Sequence, residues 1–196
     1  MSGADTRRIF HYNCDNVHDA GWGCVYRSFQ NACMLVGAPP PEMEIFAKTM
    51  ARMLGRPYGT WIEPAHLEQY ARRHRNLSTC DLCVRAELLL GKSRDVGALC
   101  KVPRLSKVDE YGKFPFTATH LHRILTDTSR RCAAILDDGT FGFCVYYGHS
   151  DECFLVIDPH ATPEELSAKR LVRAYDNLSD FLVTAPAWMV AVVEKK

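Results

Sequence analysis

Asp19-Ala20-Gly21-Trp22-Gly23-Cys24-Val25-Tyr26-Arg27-Ser28-Phe29-Gln30 sets a cysteine between a Gly-Trp-Gly turn and an amphipathic run. The apolar spacing predicts a helix from Cys24 to Leu35, with Phe29, Ala32, Cys33 and Val36 facing the core. A helix N-terminus carries unpaired backbone N–H groups and about half a positive charge, both of which favour an anion. A cysteine there is expected to have a depressed pKa and to be partly thiolate near neutral pH. The same N–H groups can hold an oxyanion. Gly21 and Gly23 admit backbone angles closed to other residues and leave room for a substrate chain to pass Trp22. Cys24 is thus a candidate nucleophile; the competing reading is a small buried residue at a helix start.

On both sides of this stretch the pattern divides into helices, then strands. Ile9–Tyr12 reads as a short strand before a polar loop. Helices are expected over Pro41–Leu54, ended by Gly55, and from Glu63-Pro64 to Arg75. Leu82–Leu90 alternates as a strand. Gly91 through Phe116 has no sustained period and reads as a long loop, and such loops are usually functional or mobile. A helix over Thr117–Thr126 precedes three apolar runs, Cys132–Leu136, Phe141–Tyr147 and Cys153–Ile157, separated by turn-forming residues as in an antiparallel meander. Thr162-Pro163-Glu164-Glu165 has the form of a capped helix start. Trp188–Val193 closes the chain as a strand. Helices first and strands later, without βαβ alternation, give an α+β class.

Composition narrows the functional classes. The 196 residues fit one domain over 9–196 behind a loose N-terminus, residues 1–8. With 24 basic and 23 acidic residues, no field draws the chain to nucleic acid or to a membrane surface. Arg72-Arg73-His74-Arg75 reads as a solvated helix face. No apolar run approaches the roughly 18 residues of a membrane span, and no leader opens the sequence. Nine scattered cysteines do not form a disulfide framework and point to a reducing cytoplasmic or nuclear compartment. Cys80-Asp81-Leu82-Cys83 lacks the second half of a zinc site, so reduced structural cysteines are the expectation.

A second chemical element ends the third run of the meander: Asp158-Pro159-His160. Residues two apart on an extended chain share a face, which puts the carboxylate beside the imidazole. Proline between them fixes the backbone and stops further ladder pairing. A carboxylate in that place selects the histidine tautomer and stabilises the imidazolium. Cys24, His160 and Asp158 have the residue types of a cysteine nucleophile, its base and an orienting acid. With eight histidines and nine cysteines a chance pairing is easy, so residue types alone make a modest case.

Phe10-His11-Tyr12-Asn13-Cys14-Asp15 with Asp19 to Gln30, and Phe154-Leu155-Val156-Ile157-Asp158-Pro159-His160, resemble the signatures of ubiquitin-fold-modifier-specific cysteine proteases of the short, single-domain type. Trp61-Ile62-Glu63 is similar to a Trp-Ile-Gly element of that family. The resemblance implies a papain-like fold, with N-terminal helices packed on a C-terminal antiparallel sheet. It implies Cys24 as nucleophile, His160 as general base and acid, Asp158 as its partner, and Tyr12, twelve residues before the cysteine, as an oxyanion donor. The substrate tail is expected to lie in a groove floored by Gly21 and Gly23 and walled by Trp22. The expected partner is the ubiquitin-fold modifier, as precursor and conjugate, cleaved after its C-terminal glycine by a monomer needing no metal or organic cofactor. Alternatives are a deubiquitinase, an autophagy-modifier protease of related fold, and a silent modifier-binding module. The run Asp137-Asp138-Gly139-Thr140-Phe141-Gly142 departs from the family's Gly-rich segment, so substrate contacts there are expected to differ.

Overall fold

The computed structural model describes residues 9–73, 82–90, 118–166 and 170–195. The expectations for residues 1–8, for the loop at 91–116 and for Cys80, His74 and Arg75 lie outside these residues. The first helix, α1 (Cys24–Leu35), is followed by α2 (Met43–Leu54) and α3 (Pro64–Arg73). Gly55 ends α2 in the left-handed region at φ 62°, where it has no Cβ to strain. Strand β1 (Leu82–Leu90) leads to α4 (Ala118–Leu125), then the meander β2 (Cys132–Asp137), β3 (Gly142–Gly148) and β4 (Cys153–Ile157). Strand β5 (Val172–Tyr175), α5 (Leu178–Leu182) and β6 (Ala187–Lys195) complete the order.

The six strands form one sheet in the order β1-β6-β2-β3-β4-β5, and every pairing is antiparallel. The last strand in sequence is therefore interior, inserted between β1 and β2. Alternate residues supply two cores. Ala133, Ile135, Ala191 and Val193 pack with α1, α2 and α3 on one face. Ala134, Leu136, Val190 and Val192 pack with α4 and α5 on the other. Burial on both faces explains why Cys132–Leu136 reads as a continuous apolar run. Helix α1 is buried along its length from Cys24 to Cys33, its polar residues included.

Three local expectations change. Ile9–Tyr12 joins no strand ladder, because the Asn31 side chain takes the place of a partner strand. Phe10 N–H donates to Asn31 Oδ1 (2.9 Å), and Asn31 Nδ2 donates to the Phe10 carbonyl (2.9 Å). The Thr162 start opens a single 3₁₀ turn, Pro163–Glu165, closed by the expected capping box. Strand β5 and helix α5 leave no mark in the residue pattern, since four- and five-residue elements are too short to show a period.

Candidate active site

Two segments about 150 residues apart are joined by backbone. Tyr12 N–H donates to the Pro159 carbonyl (3.0 Å), and His11 Nδ1 reaches the Ala161 carbonyl (3.2 Å). The residues on either side of His160 are thereby fastened to the segment that carries Tyr12.

The loop from His11 to Asp19 is locked in turn to α1. Asn13 N–H donates to Asp19 Oδ1 (2.7 Å), and Asp19 N–H donates to Asn13 Oδ1 (3.1 Å). Arg27, fully buried, donates through Nε to Asp19 Oδ2 (2.7 Å) and through both terminal nitrogens to Asp15 (2.6 and 2.8 Å). Burial opposes the Arg27 charge, and the two carboxylates more than restore it, so its pKa is raised. Neither composition nor spacing singles these residues out. The signal was an arginine on a helix otherwise lined by Cys24, Val25, Tyr26 and Phe29, which needs a partner if it is buried.

The glycines of the motif serve different ends. Gly21 is exposed and has φ +88°, a left-handed conformation that favours glycine. Gly23 has an ordinary φ of −87°, and a Cβ there would lie 2.2 Å from Asp19 Oδ2. Gly23 is buried under Asp19, so its glycine is required by packing. Trp22 is half-buried, donates to the His18 carbonyl (3.2 Å), and meets Tyr26 and Tyr58 edge-on.

Cys24 opens α1 with no side-chain cap before it. Its sulfur is fully buried and shares a hydrogen bond with the Tyr12 hydroxyl; the N–H groups of Gly142 and Val25 donate to it. A Cβ on Gly142 would lie 3.4 Å from Cys24 Sγ and 2.8 Å from Val25 Cγ2. The expected depressed pKa is not found. Burial pushes the thiol up to about 12, with the charge of Asp137 adding to it, and the backbone and Tyr12 hydrogen bonds offset only part. Burial and the Asp137 charge thus favour the thiol over the thiolate at this position. Tyr12 is raised as well, by burial first and then by Cys24.

Asp158 and His160 stand side by side at the end of β4, as their spacing requires. His160 Nδ1 lies 2.5 Å from Asp158 Oδ1, which also accepts the His160 backbone N–H (3.1 Å). Arg173 from β5 donates to Asp158 Oδ2 (3.1 Å). Burial alone would raise the Asp158 carboxyl; the His160 hydrogen bond and charge, with Arg173, outweigh it and hold the carboxyl below its usual range. With Nδ1 donating to a carboxylate, Nε2 of the neutral ring is the acceptor. Nε2 is buried and makes no hydrogen bond among the described residues.

Three aromatic rings enclose the imidazole: Tyr12 at 5.5 Å, Phe141 at 5.0 Å and Phe143 at 5.3 Å between centroids. Tyr12 touches both the imidazole ring and the Cys24 thiol. Gly142, between the two phenylalanines, touches the thiol. The four residues Cys24, Tyr12, Asp158 and His160 are thus gathered around one small space, with no direct thiol–imidazole hydrogen bond. No group of three or more potential metal ligands occurs among the described residues, and no helix among them is long and apolar enough to cross a membrane.

Helices lie on both faces of one antiparallel sheet, with a cysteine opening the buried helix and an Asp-Pro-His segment at a strand end, and this architecture is a papain-like fold. Residues 5–42, which hold Tyr12 and the Gly-Trp-Gly-Cys turn, match the model of peptidase family C78. Among solved structures, the fold is similar to that of UfSP from C. elegans, with a TM-score of 0.55 and 17% identity. That alignment covers 96% of this chain and 32% of the C. elegans chain, so this sequence spans about a third of its neighbour's length. No curated protein sequence matches the chain.

Proposed function

We propose that this protein is a thiol protease that cleaves after the C-terminal glycine of a ubiquitin-like modifier, the ubiquitin-fold modifier, maturing its precursor and removing it from substrate lysines. The match to peptidase family C78 and the fold shared with UfSP support the substrate class. The observation that carries the reading is the cluster itself. Asp158 holds Nδ1 of His160, Nε2 is buried without a hydrogen bond among the described residues, and Tyr12 touches both the imidazole and the thiol.

A turn of the Cys24 side chain away from Tyr12 brings the thiol proton to Nε2, and burial that disfavours a lone thiolate is answered by the imidazolium beside it. The sulfur attacks the glycine carbonyl. The Tyr12 hydroxyl, freed from the thiol, and the Cys24 backbone N–H hold the oxyanion. The protonated His160 gives its proton to the leaving amine as the C–N bond breaks, leaving a thioester. Water then attacks with His160 as base and releases the modifier acid and the thiol. Asp158 orients the ring throughout.

The remaining expectations belong to the same reading: a monomer, folded as one domain over 9–196, working without metal or organic cofactor in a reducing cytoplasmic or nuclear setting. All seven described cysteines are free. The test is a panel of C-terminal electrophilic probes built on the ubiquitin-fold modifier, ubiquitin and an autophagy modifier. Labelling by the first, abolished in Cys24→Ser, is expected. Labelling by ubiquitin alone would transfer the activity to deubiquitination, and binding without labelling or turnover would leave a modifier-binding module.

A further inference from the structure

Beside the Asp158–His160 pair lies a cavity of about 260 Å³ lined by Asp158, His160, Ala161, Arg170, Leu171 and Arg173. We propose that this cavity is the subsite for an acidic side chain on the leaving segment of the substrate, next to the lysine or amine released at the scissile bond. The proposal rests on the peptidase reading above and extends it to substrate choice.

Position comes first. Cys24, Tyr12 and Gly142 do not line the cavity, while His160 and its partner Asp158 do, so it adjoins the imidazole on the side that Asp158 holds. The acyl half of the substrate is held at the sulfur. The leaving nitrogen takes its proton from His160, so the chain attached to that nitrogen departs past the imidazole. A cavity on that side meets the leaving segment.

Charge decides what it takes. Asp158 is the one acid among the described lining residues, and it is shared by His160 Nδ1 and Arg173. Arg173 is further held with its guanidinium 5.9 Å from the Phe143 ring centroid. Arg170 is exposed and has no ion-pair partner among the described residues, so among them it is the positive charge at the rim left to meet a substrate group. Ala161 and Leu171 supply an apolar floor, and the Leu171 carbonyl is occupied by Asp158 N–H (2.7 Å). A space of this size is below that of a small-molecule site and suits one side chain. An aspartate or glutamate fits: its methylene rests on the floor, and its carboxylate meets a guanidinium in the planar geometry that arginine offers.

The experiment uses the full chain and the ubiquitin-fold modifier joined through its glycine to the lysine of a short peptide. Glutamate, glutamine or lysine stands next to that lysine, and kcat/KM is read for each, with the modifier amide of aminomethylcoumarin as a substrate lacking a peptide. The glutamate peptide should be favoured over the glutamine peptide by about three- to tenfold at low salt, and the margin should shrink in about 0.5 M salt. Arg170→Glu should reverse the order and favour the lysine peptide, whereas a merely structural role would lower all three together. A wild-type enzyme that cleaves the coumarin amide but ranks the peptides equally, or an Arg170→Glu variant that keeps the glutamate preference, overturns the subsite alone. No cleavage of any of these substrates overturns the protease reading and the subsite with it.

Discussion

The Tyr12 hydroxyl is hydrogen-bonded to the thiol of Cys24, and its ring meets the imidazole of His160 in a T-shaped contact. One phenol thus links a residue at the start of α1 to another at the end of β4. Its place in the chain is fixed by the bond from its own N–H to the Pro159 carbonyl. If the hydroxyl moves from the thiol to the developing oxyanion, Tyr12→Phe should cost roughly 10–1000-fold in kcat with KM little changed. Steady-state hydrolysis of a modifier–coumarin amide measures this, and a loss under twofold would reduce Tyr12 to a packing residue.

Asp158 accepts from both Nδ1 and the backbone N–H of His160 while Arg173 holds its other oxygen. Asparagine keeps the shape and can present an N–H to Nδ1, which selects the wrong tautomer. Asp158→Asn should therefore lower kcat by about 10³–10⁴-fold while the circular dichroism and melting temperature stay close to the parent. A loss below about tenfold would show that Asp158 does not set the imidazole.

Gly142 closes the thiol's surroundings from the sheet side. A methyl group there meets Val25 Cγ2 at 2.8 Å and Val25 N at 3.2 Å, both at the start of the buried helix, and Cys24 Sγ at 3.4 Å. Gly142→Ala should push the β2–β3 turn off the helix, cost about 1–3 kcal/mol of stability as overpacking does, and remove activity through the displaced sulfur. Urea denaturation and turnover read the two effects separately; full activity would mean that the turn is free to move aside.

Much of this was legible in the chain, for identifiable reasons. α1 and β1 begin and end where the pattern put them, because Gly23 and the Gly37-Ala38-Pro39 break bound the first and strict alternation marks the second. The Asp158–His160 contact follows from the geometry of an extended chain. The electrostatics of Cys24 were not legible: a helix start favours the thiolate, but how deeply the sulfur is covered, and by which residues of a turn more than a hundred positions away, depends on tertiary packing. The same holds for Arg27. Its spacing from Asp15 and Asp19 has no helical meaning, since the partners lie on a loop whose course is set by left-handed Asn13 (φ 58°) and Asn16 (φ 64°). Gly23 was legible as a necessary glycine, with the wrong cause assigned to it.

Arg27 joins that loop to the helix, and both it and Asp19 are fully buried. Removing it strands two carboxylates, so Arg27→Met should cost about 3–5 kcal/mol and loosen the segment that carries Tyr12. Burial pushes the Asp15 carboxyl up, but its Arg27 hydrogen bonds and charge pull it further down, below the usual carboxylate range. A carboxyl whose folded pKa lies below its unfolded value of about 3.9 stabilises at pH above that value. It loses this contribution as pH falls through the folded value. The parent should therefore lose stability below about pH 4, and Arg27→Met should lose less over that window. Urea midpoints at pH 7 and pH 3 test both statements, and an unchanged midpoint at pH 7 would show the network to be dispensable.

The protonation of Cys24 makes the last prediction. Cys24 is sealed from solvent, and both burial and the charge of Asp137 hold its proton on, with a pKa near 12. Asp137 is itself buried at the end of β2, opposite Gly142 in the sheet, and its Oδ1 is held by Gly139 N–H (2.7 Å). Without substrate, alkylation of Cys24 by iodoacetamide should be slow near neutral pH and should rise about tenfold per pH unit well into the alkaline range. Asp137→Asn removes a negative charge beside the sulfur and lowers the thiol pKa, so its labelling should be faster than the parent's at every pH below about 10. Peptide mapping by mass spectrometry separates Cys24 from the other cysteines. Should Cys24 of the parent react first and at a pH-independent rate near pH 7, the resting site would already hold a thiolate–imidazolium pair, and the proton transfer ascribed to the turn of the Cys24 side chain would already be complete in the free enzyme.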